Sequence, residues 1–456
     1  MDDFIREPAN ERRAVFQATS TKRKLPPDLV EKDFWVCWVL KTLCNSFGKE
    51  LTFRGGTSLS KAFHCIERFS EDIDVAMSQE WLGISEETDP AKAESNSQRT
   101  KRQKNLRKLG REAVTAKLEP LLKSALADVV RRDEEWNVEI EDIDARDPWV
   151  IYVNYPIAIA GESNYNPPRV KVELCPRAEG WPDEDVIIQA YAAEEFPNAI
   201  KENKVKVNTV IPARTFCEKA ALIHEMNTAP ESKGVAARLA RHFYDLQQII
   251  QSRHISKVTP ELFASVMEHR NVYFGQTWIN YEELRVETLQ IAPEGKRLRE
   301  WKTDYASMEN MFFGQNPGFD HAVETICAYQ ASVSKSAKTK SSRKTGSLSG
   351  GLSFHPTKKK AKAKRSQSKL GFALGGHQHK KSDVPKRLIQ AVIKIDHQLK
   401  RRAKPLEVAE SIHSAQIERN GGTKVTYLSK TYTRDQWARL IAKCRKSDGY
   451  SGFWHG

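Results

Sequence analysis

The sequence predicts an α+β protein: a mixed sheet carrying helices, then a helical domain, a disordered basic linker and a small basic C-terminal module. Three observations predict it. Short alternating apolar segments interleave with helical ones through residue 205, the patterning from 206 to 332 is helical, and 333–384 is dominated by Lys, Ser and Gly. The boundaries are therefore 1–205, 206–332, 333–384 and 385–456. A chain of 456 residues is too long for one core, and 39% hydrophobic residues suffice for more than one.

Taken in order, residues 30–43 (VEKDFWVCWVLKTL) are apolar on nearly all sides after their first turn, the mark of a buried helix. Residues 51–53 form a short strand that runs into Arg54, Gly55, Gly56 and Thr57; 58–66 read as a helix and 72–77 as a second strand. Residues 99–131 read as one long helix with an apolar stripe from Leu106 to Val129. Residues 169–174 (RVKVEL) alternate cleanly, and 149–155 (WVIYVNY) is the expected sheet neighbour. Two amphipathic helices follow at 216–226 and 236–250. The segment 334–384 cannot bury enough apolar surface to offset its ordering entropy and is read as a linker, with His377 and His379 incidental to it. Beyond it, Leu388, Val392, Ile395 and Leu399 recur at helical spacing, 424–427 reads as a strand and 436–444 as a further helix.

The charge is unevenly placed. Residues 1–333 carry 44 basic and 52 acidic side chains, 334–381 carry 14 and none, and 382–456 carry 15 and 7. A basic extension on an acidic body suggests a polyanionic partner, since cations beside phosphates release counterions. A solubilising tail has the same composition, and charge alone does not separate the two. No apolar run approaches the roughly 20 residues of a membrane span. The seven cysteines include no CxxC pair, and the charged N-terminus MDDFIREPAN has no apolar h-region. A cytoplasmic protein without membrane contact is expected.

The chemistry is concentrated between residues 54 and 74. Two glycines after a strand permit positive φ and let backbone approach a ligand closely. The helix after them offers unpaired N–H groups to an anion. Thr57 and Ser58 add hydroxyls and Lys61 a charge, which together make a triphosphate cradle. Asp72 and Asp74 share one strand face, and paired carboxylates are oxygen ligands for Mg²⁺, the cation that nucleotides bring. Each signal is weak alone: the tetrapeptide EDID occurs at 71–74 and again at 141–144. Only the first copy follows a Gly-Gly turn and a helix. Glu173, on the polar face of 169–174, is a candidate third ligand or general base; a solvated strand face is the plainer reading.

These residues resemble a known family. FRGGTSLSK at 53–61 and RFSEDIDV at 68–75 look like the AbiEii/AbiGii toxins, nucleotidyltransferases of the DNA polymerase β superfamily found in type IV toxin–antitoxin and abortive-infection (phage-defence) systems. VEKDFW at 30–35, CEKAAL at 217–222, RLARHFYDL at 238–246 and MENMFFGQNPGF at 308–319 are similar to its other motifs, so the likeness spans roughly residues 25–325. One departure is the spacing: fifteen residues separate Gly56 from Asp72, longer than the superfamily's compact version.

The resemblance implies a polymerase β-like fold whose helical domain completes the active site. It implies that Gly55, Gly56, Thr57 and Ser58 hold nucleotide phosphates, with Lys61 assisting. Asp72 and Asp74, with Glu173, would hold two Mg²⁺ ions about 4 Å apart. Lys219 and Asp245, which helical patterning alone would leave on a solvated face, become residues needed for activity. His224 and His242 stay ordinary helix histidines. The implied reaction is transfer of NMP from an NTP to RNA, with tRNA 3′ ends as the expected acceptor and blocked aminoacylation as the toxic outcome; a cognate antitoxin is implied. A protein hydroxyl as acceptor, or a nucleic-acid-binding factor without turnover, remain the alternatives. The seven cations between Arg99 and Arg111, with no acid among them, read either as a solvated helix face or as a phosphate-contacting edge beside the site.

Overall fold

The computed structural model describes residues 1–345, except 69, 71, 142–147, 160–166 and 313, together with 415–417, 424–427 and 430–433. The helices expected at 388–399 and 436–444, His377 and His379, and positions 142–144 of the second EDID copy lie outside the described residues. The chain divides into two compact units, Met1–Gly350 and Gly351–Gly456.

In the first unit, α1 (Asp2–Arg6) and α2 (Ala9–Arg23) lead to α3 (Pro27–Phe47). Pro27 sits in the first turn of α3, where a missing N–H costs nothing. The helix is buried on nearly all sides, Glu31 and Lys32 included and Asp33 half-buried, and each of these charges has a partner. Glu31 accepts from the Ala158 and Ile159 N–H groups, Lys32 donates to the Pro167 carbonyl, and Asp33 binds Lys61 and the Tyr191 N–H. Burial pushes the Glu31 carboxyl up to about 7, against the pull of those two N–H groups.

β1 (Leu51–Arg54) passes directly into α4 (Gly55–Lys61). This helix is shorter than the 58–66 expected and begins at the glycines themselves. β2 (Asp72–Met77) follows, then α5 (Asn96–Ala113) and α6 (Glu119–Val129). The single helix expected at 99–131 is interrupted by a π-helical turn at Val114–Leu118. Pro120 explains it: its ring excludes the carbonyl four residues earlier, and a wider turn accommodates the clash.

The remaining strands are β3 (Asn137–Ile140), β4 (Trp149–Asn154), β5 (Arg169–Cys175), β6 (Asp183–Gln189) and, after α7 (Tyr191–Glu195), β7 (Lys204–Val210). They build one seven-stranded mixed sheet in the order β3-β4-β5-β2-β1-β7-β6. β2 runs parallel to β5 and β1 to β7; the other pairs are antiparallel. One face is apolar: Phe53, Ile73, Val75, Val170, Val172 and Leu174 join α3 and α6 in a common core. Alternation then places Arg54, Asp72, Asp74, Lys171 and Glu173 on the other face.

α8 (Pro212–Asn227), α9 (Arg241–Gln251), α10 (Pro260–Tyr273), α11 (Gly295–Ala306) and α12 (Phe319–Thr345) complete the unit. Their apolar sides form a second core with Leu59, Cys65 and Ile66. α12 corrects the expected linker boundary: it runs to Thr345, well past residue 333. No Gly or Pro interrupts 319–345 before Gly346, and Ala, Lys and Arg support helix there. In the second unit, β8 (Ala415–Ile417), β9 (Lys424–Tyr427) and β10 (Lys430–Thr433) form an antiparallel sheet in the order β10-β9-β8. No helix among the described residues is long and apolar enough to cross a membrane.

Candidate functional site

Strand register assembles the centre of the site. Asp74 on β2 stands opposite Arg54 of β1 on one side and Glu173 of β5 on the other, and Asp72 stands opposite Lys171. Residues in register share a face, so three carboxylates and two cations converge at the middle of the sheet. Burial, then the negative charges of Glu173 and Asp72, hold the Asp74 carboxyl well above the usual carboxylate range, although Arg54 opposes them. Glu173 is also tied to Lys171 beside it.

Gly55 adopts φ +79°, and a Cβ there would lie 1.9 Å from Asp74 Oδ2. At Gly56 a Cβ would meet Arg68 Nη2 and Ser70 Oγ, each at 2.7 Å. The two glycines are thus needed for side chains of the site to cross the helix start. Gly55→Ala is expected to destabilise the fold by about 2 kcal/mol, from positive φ and the displaced carboxylate together. A thermal melt by circular dichroism checks this, and an unchanged Tm would contradict it.

A cleft of about 420 Å³ opens over this face, lined by Gly55, Gly56, Asp72, Asp74 and Glu173. Arg54, Arg68, Lys219, Arg241 and Arg270 supply cations to it, with His242 and His269 between them. Of the expected cradle, the two glycines line the cleft and the other three side chains do not. The Thr57 hydroxyl donates to the Asp72 carbonyl and lies 2.9 Å from Ser70 Oγ, while Ser58 Oγ donates to the Gly55 carbonyl at 2.9 Å. Both are buried ties within the fold. Lys61 is buried against Asp33, with its ammonium 3.7 Å from the Tyr191 ring centroid. It lines a separate cavity on the far side of α4. Residue type and spacing suggested a phosphate cradle, but Thr57 ties α4 to β2, Lys61 ties it to α3, and Ser58 bonds within α4 itself.

Lys219 and Asp245 meet although they lie on different helices. Lys219 Nζ is 2.9 Å from Asp245 Oδ2 and 2.9 Å from His242 Nδ1. Asp245 is fully buried beneath the cleft and also accepts two hydrogen bonds from Arg68, at 2.6 and 2.7 Å. Its burial is outweighed by Arg68 and Lys219, which hold its carboxyl far below the usual range. Burial lowers the Lys219 ammonium, with Asp245 opposing. His242 is therefore no ordinary helix histidine: burial and Lys219 keep it neutral, and it bonds the lysine that faces the cleft.

Glu218, which also lines the cleft, binds Arg54 and Arg214, and those cations outweigh burial to hold it at about 2. Arg270 is bound twice by Glu225. Arg241 is different: among the described residues it has no acidic partner. Sequence reasoning missed Arg54, Arg68, Ser70, Arg241, His242 and His269 as lining residues. A signal existed for two of them. Arg241 and His242 precede Asp245 by four and three residues, which puts all three on one helix face.

The donor set fits a hard divalent cation, because three carboxylates gather there and their mutual repulsion, with burial, raises Asp74. Among the described residues no ready-made cage of three or more metal-ligating side chains is present. A cation of the Mg²⁺ type is commonly held by one or two carboxylates plus substrate phosphates, so no such cage is required.

Curated protein sequences return no match. Among solved structures the chain is similar to the nucleotidyltransferase toxin MenT4 of Mycobacterium tuberculosis, at 17% identity and a TM-score of 0.36, covering 70% of this chain and 98% of that one. The family model described as nucleotidyl transferase AbiEii toxin of a type IV toxin–antitoxin system matches residues 38–325, more than half of the sequence. The chain belongs to the AbiEii family of nucleotidyltransferase toxins.

Proposed function

We propose that this cleft transfers a nucleoside monophosphate from an NTP to a hydroxyl of RNA, with a tRNA 3′ end as the acceptor and Mg²⁺ as the cation. The observation that carries the reading is the pairing of Asp72, Asp74 and Glu173 with a wall of cations across one cleft. Asp72 and Asp74 would hold the cation. Bound there, it would neutralise charge on the phosphates and polarise the acceptor hydroxyl. The hydroxyl oxygen bonds to the α-phosphorus, the bond from that phosphorus to the α–β bridging oxygen breaks, and pyrophosphate leaves with the electron pair. Glu173 would take the hydroxyl proton. Lys219 supplies positive charge beside the phosphates, and its position is fixed by Asp245 and His242. Such catalysis is mainly positioning and electrostatics. As the family implies, a cognate antitoxin would restrain the activity in the cytoplasm.

Arg241 is the cation available to grip the triphosphate, since its neighbours are held by acids. Arg241→Ala should raise the KM for NTP about 10–100-fold, the scale of one charge-assisted hydrogen bond. Stability should change by less than about 0.5 kcal/mol, because no internal pair is broken. Steady-state kinetics and a denaturant melt on one preparation check both halves.

The acceptor is tested by incubating the protein with α-labelled NTP, total tRNA and cell protein, then digesting with nuclease or protease. Label released by nuclease supports the reading. Label released by protease only would make the acceptor a protein hydroxyl. RNA bound without any label would leave a binding factor.

A further inference from the structure

We propose that the exposed face of α5 is the docking edge for the RNA acceptor's phosphate backbone. This rests on the RNA-transfer reading and adds the surface that holds the acceptor upstream of its reacting end.

Lys101, Lys104, Lys108 and Arg111 are separated by three, four and three residues. At about 100° per residue they fall within roughly 80° of one another and span about 15 Å along the axis. All four are exposed, while Leu106 and Gly110 on the opposite side are buried. No acid occurs between Asn96 and Arg111. Lys101 and Lys104 have no acidic partner among the described residues. Lys108 has one exposed contact with Glu112, at 3.5 Å. Like charges at these spacings mildly disfavour a helix, and a bound polyanion would relieve that repulsion.

The helix is also fixed in place. Trp149 Nε1 donates to the Arg107 carbonyl at 3.2 Å, and Arg111 lies over the Trp149 ring. A Cβ on Gly110 would come within 2.8 Å of Pro176, so only glycine allows this approach. Nearer the other end, the Gln103 side chain donates to the Val272 carbonyl. Pro148 and Cys175, next in the chain to Trp149 and Pro176, and Phe274, two residues from Val272, line the catalytic cleft. α5 therefore packs on segments that adjoin the cleft lining and turns the stripe outward, on a body that is acidic overall through residue 333. A polyanion would be repelled over much of that body and attracted at this edge, which orients it.

The test is the triple charge reversal Lys101→Glu, Lys104→Glu and Lys108→Glu in the full chain. Transfer to intact tRNA is compared with transfer to a short single-stranded oligonucleotide ending in the same 3′ sequence, across a salt series. The KM for tRNA should rise at least 10-fold and the slope of log KM against log salt should fall by about 2. The melt and the KM for the short acceptor should move less than twofold. An unchanged KM and slope for tRNA would overturn the inference, as would loss of antitoxin binding with tRNA kinetics intact, which would make the stripe a protein-docking face. If the wild type labels no RNA, the RNA-transfer reading fails and takes this inference with it.

Discussion

Asp74→Asn should reduce turnover by at least about 10³-fold while making the metal-free protein more stable. The activity loss follows from removing an anionic ligand at the centre of the cleft. The stability gain follows from linkage. Burial and two neighbouring carboxylates raise the Asp74 pKa on folding. A carboxyl so raised favours folding while protonated, and that contribution is lost as pH climbs from the ordinary carboxylate value through the raised one. The variant has no proton to lose. Its Tm should match the wild type near pH 4 and exceed it at pH 8, because the raised carboxyl ionises between those values and the amide does not. Added Mg²⁺ should raise the wild-type Tm and leave the variant's almost unchanged. A variant less stable than wild type at pH 8 without metal would show that Asp74 is a structural partner instead of a strained ligand.

Asp245→Asn should have the largest cost to the fold. It leaves Arg68 and Lys219 buried against a neutral amide, and breaking a buried pair from one side costs about 3–5 kcal/mol. The Tm should fall by about 10 °C. Lys219→Met provides the contrast: Arg68 still neutralises Asp245, and an apolar chain of similar length fills the space. That variant should stay within about 1 kcal/mol of wild type and lose turnover about 100-fold. Denaturant unfolding and turnover on the three proteins separate the roles. Equal stability of Asp245→Asn and wild type would contradict the account.

Local pattern reached the parts of this molecule whose cause is local. The alternation of 169–174 and the Asp72–Asp74 strand depend on neighbours two residues apart, and both strands stand where alternation puts them. The buried helix α3 was equally legible, because apolar residues on every side leave it no exposed place. The polar ties were not legible. Lys61 reads as a phosphate ligand until Asp33 and Tyr191, far away in sequence, are seen to enclose it. Thr57 and Ser58 carry hydroxyls suited to phosphate, but Thr57 directs its hydroxyl to the Asp72 carbonyl and Ser58 to the Gly55 carbonyl. Arg68 stood inside a quoted motif, yet its role depends on Asp245, 177 residues later. The π-turn followed from Pro120 and could have been anticipated. Charge pairing across long sequence separations leaves no local trace.

Asp72 and Asp74 are proposed to carry nucleotidyl transfer to RNA in this cleft. The most direct test supplies each NTP singly, labelled on the α-phosphate, with total tRNA and Mg²⁺, to wild type and to Asp72→Ala. The account predicts label on RNA from the wild type, none from the variant, and superimposable circular dichroism spectra for the two. Equal labelling by the variant, or none by the wild type, would contradict it.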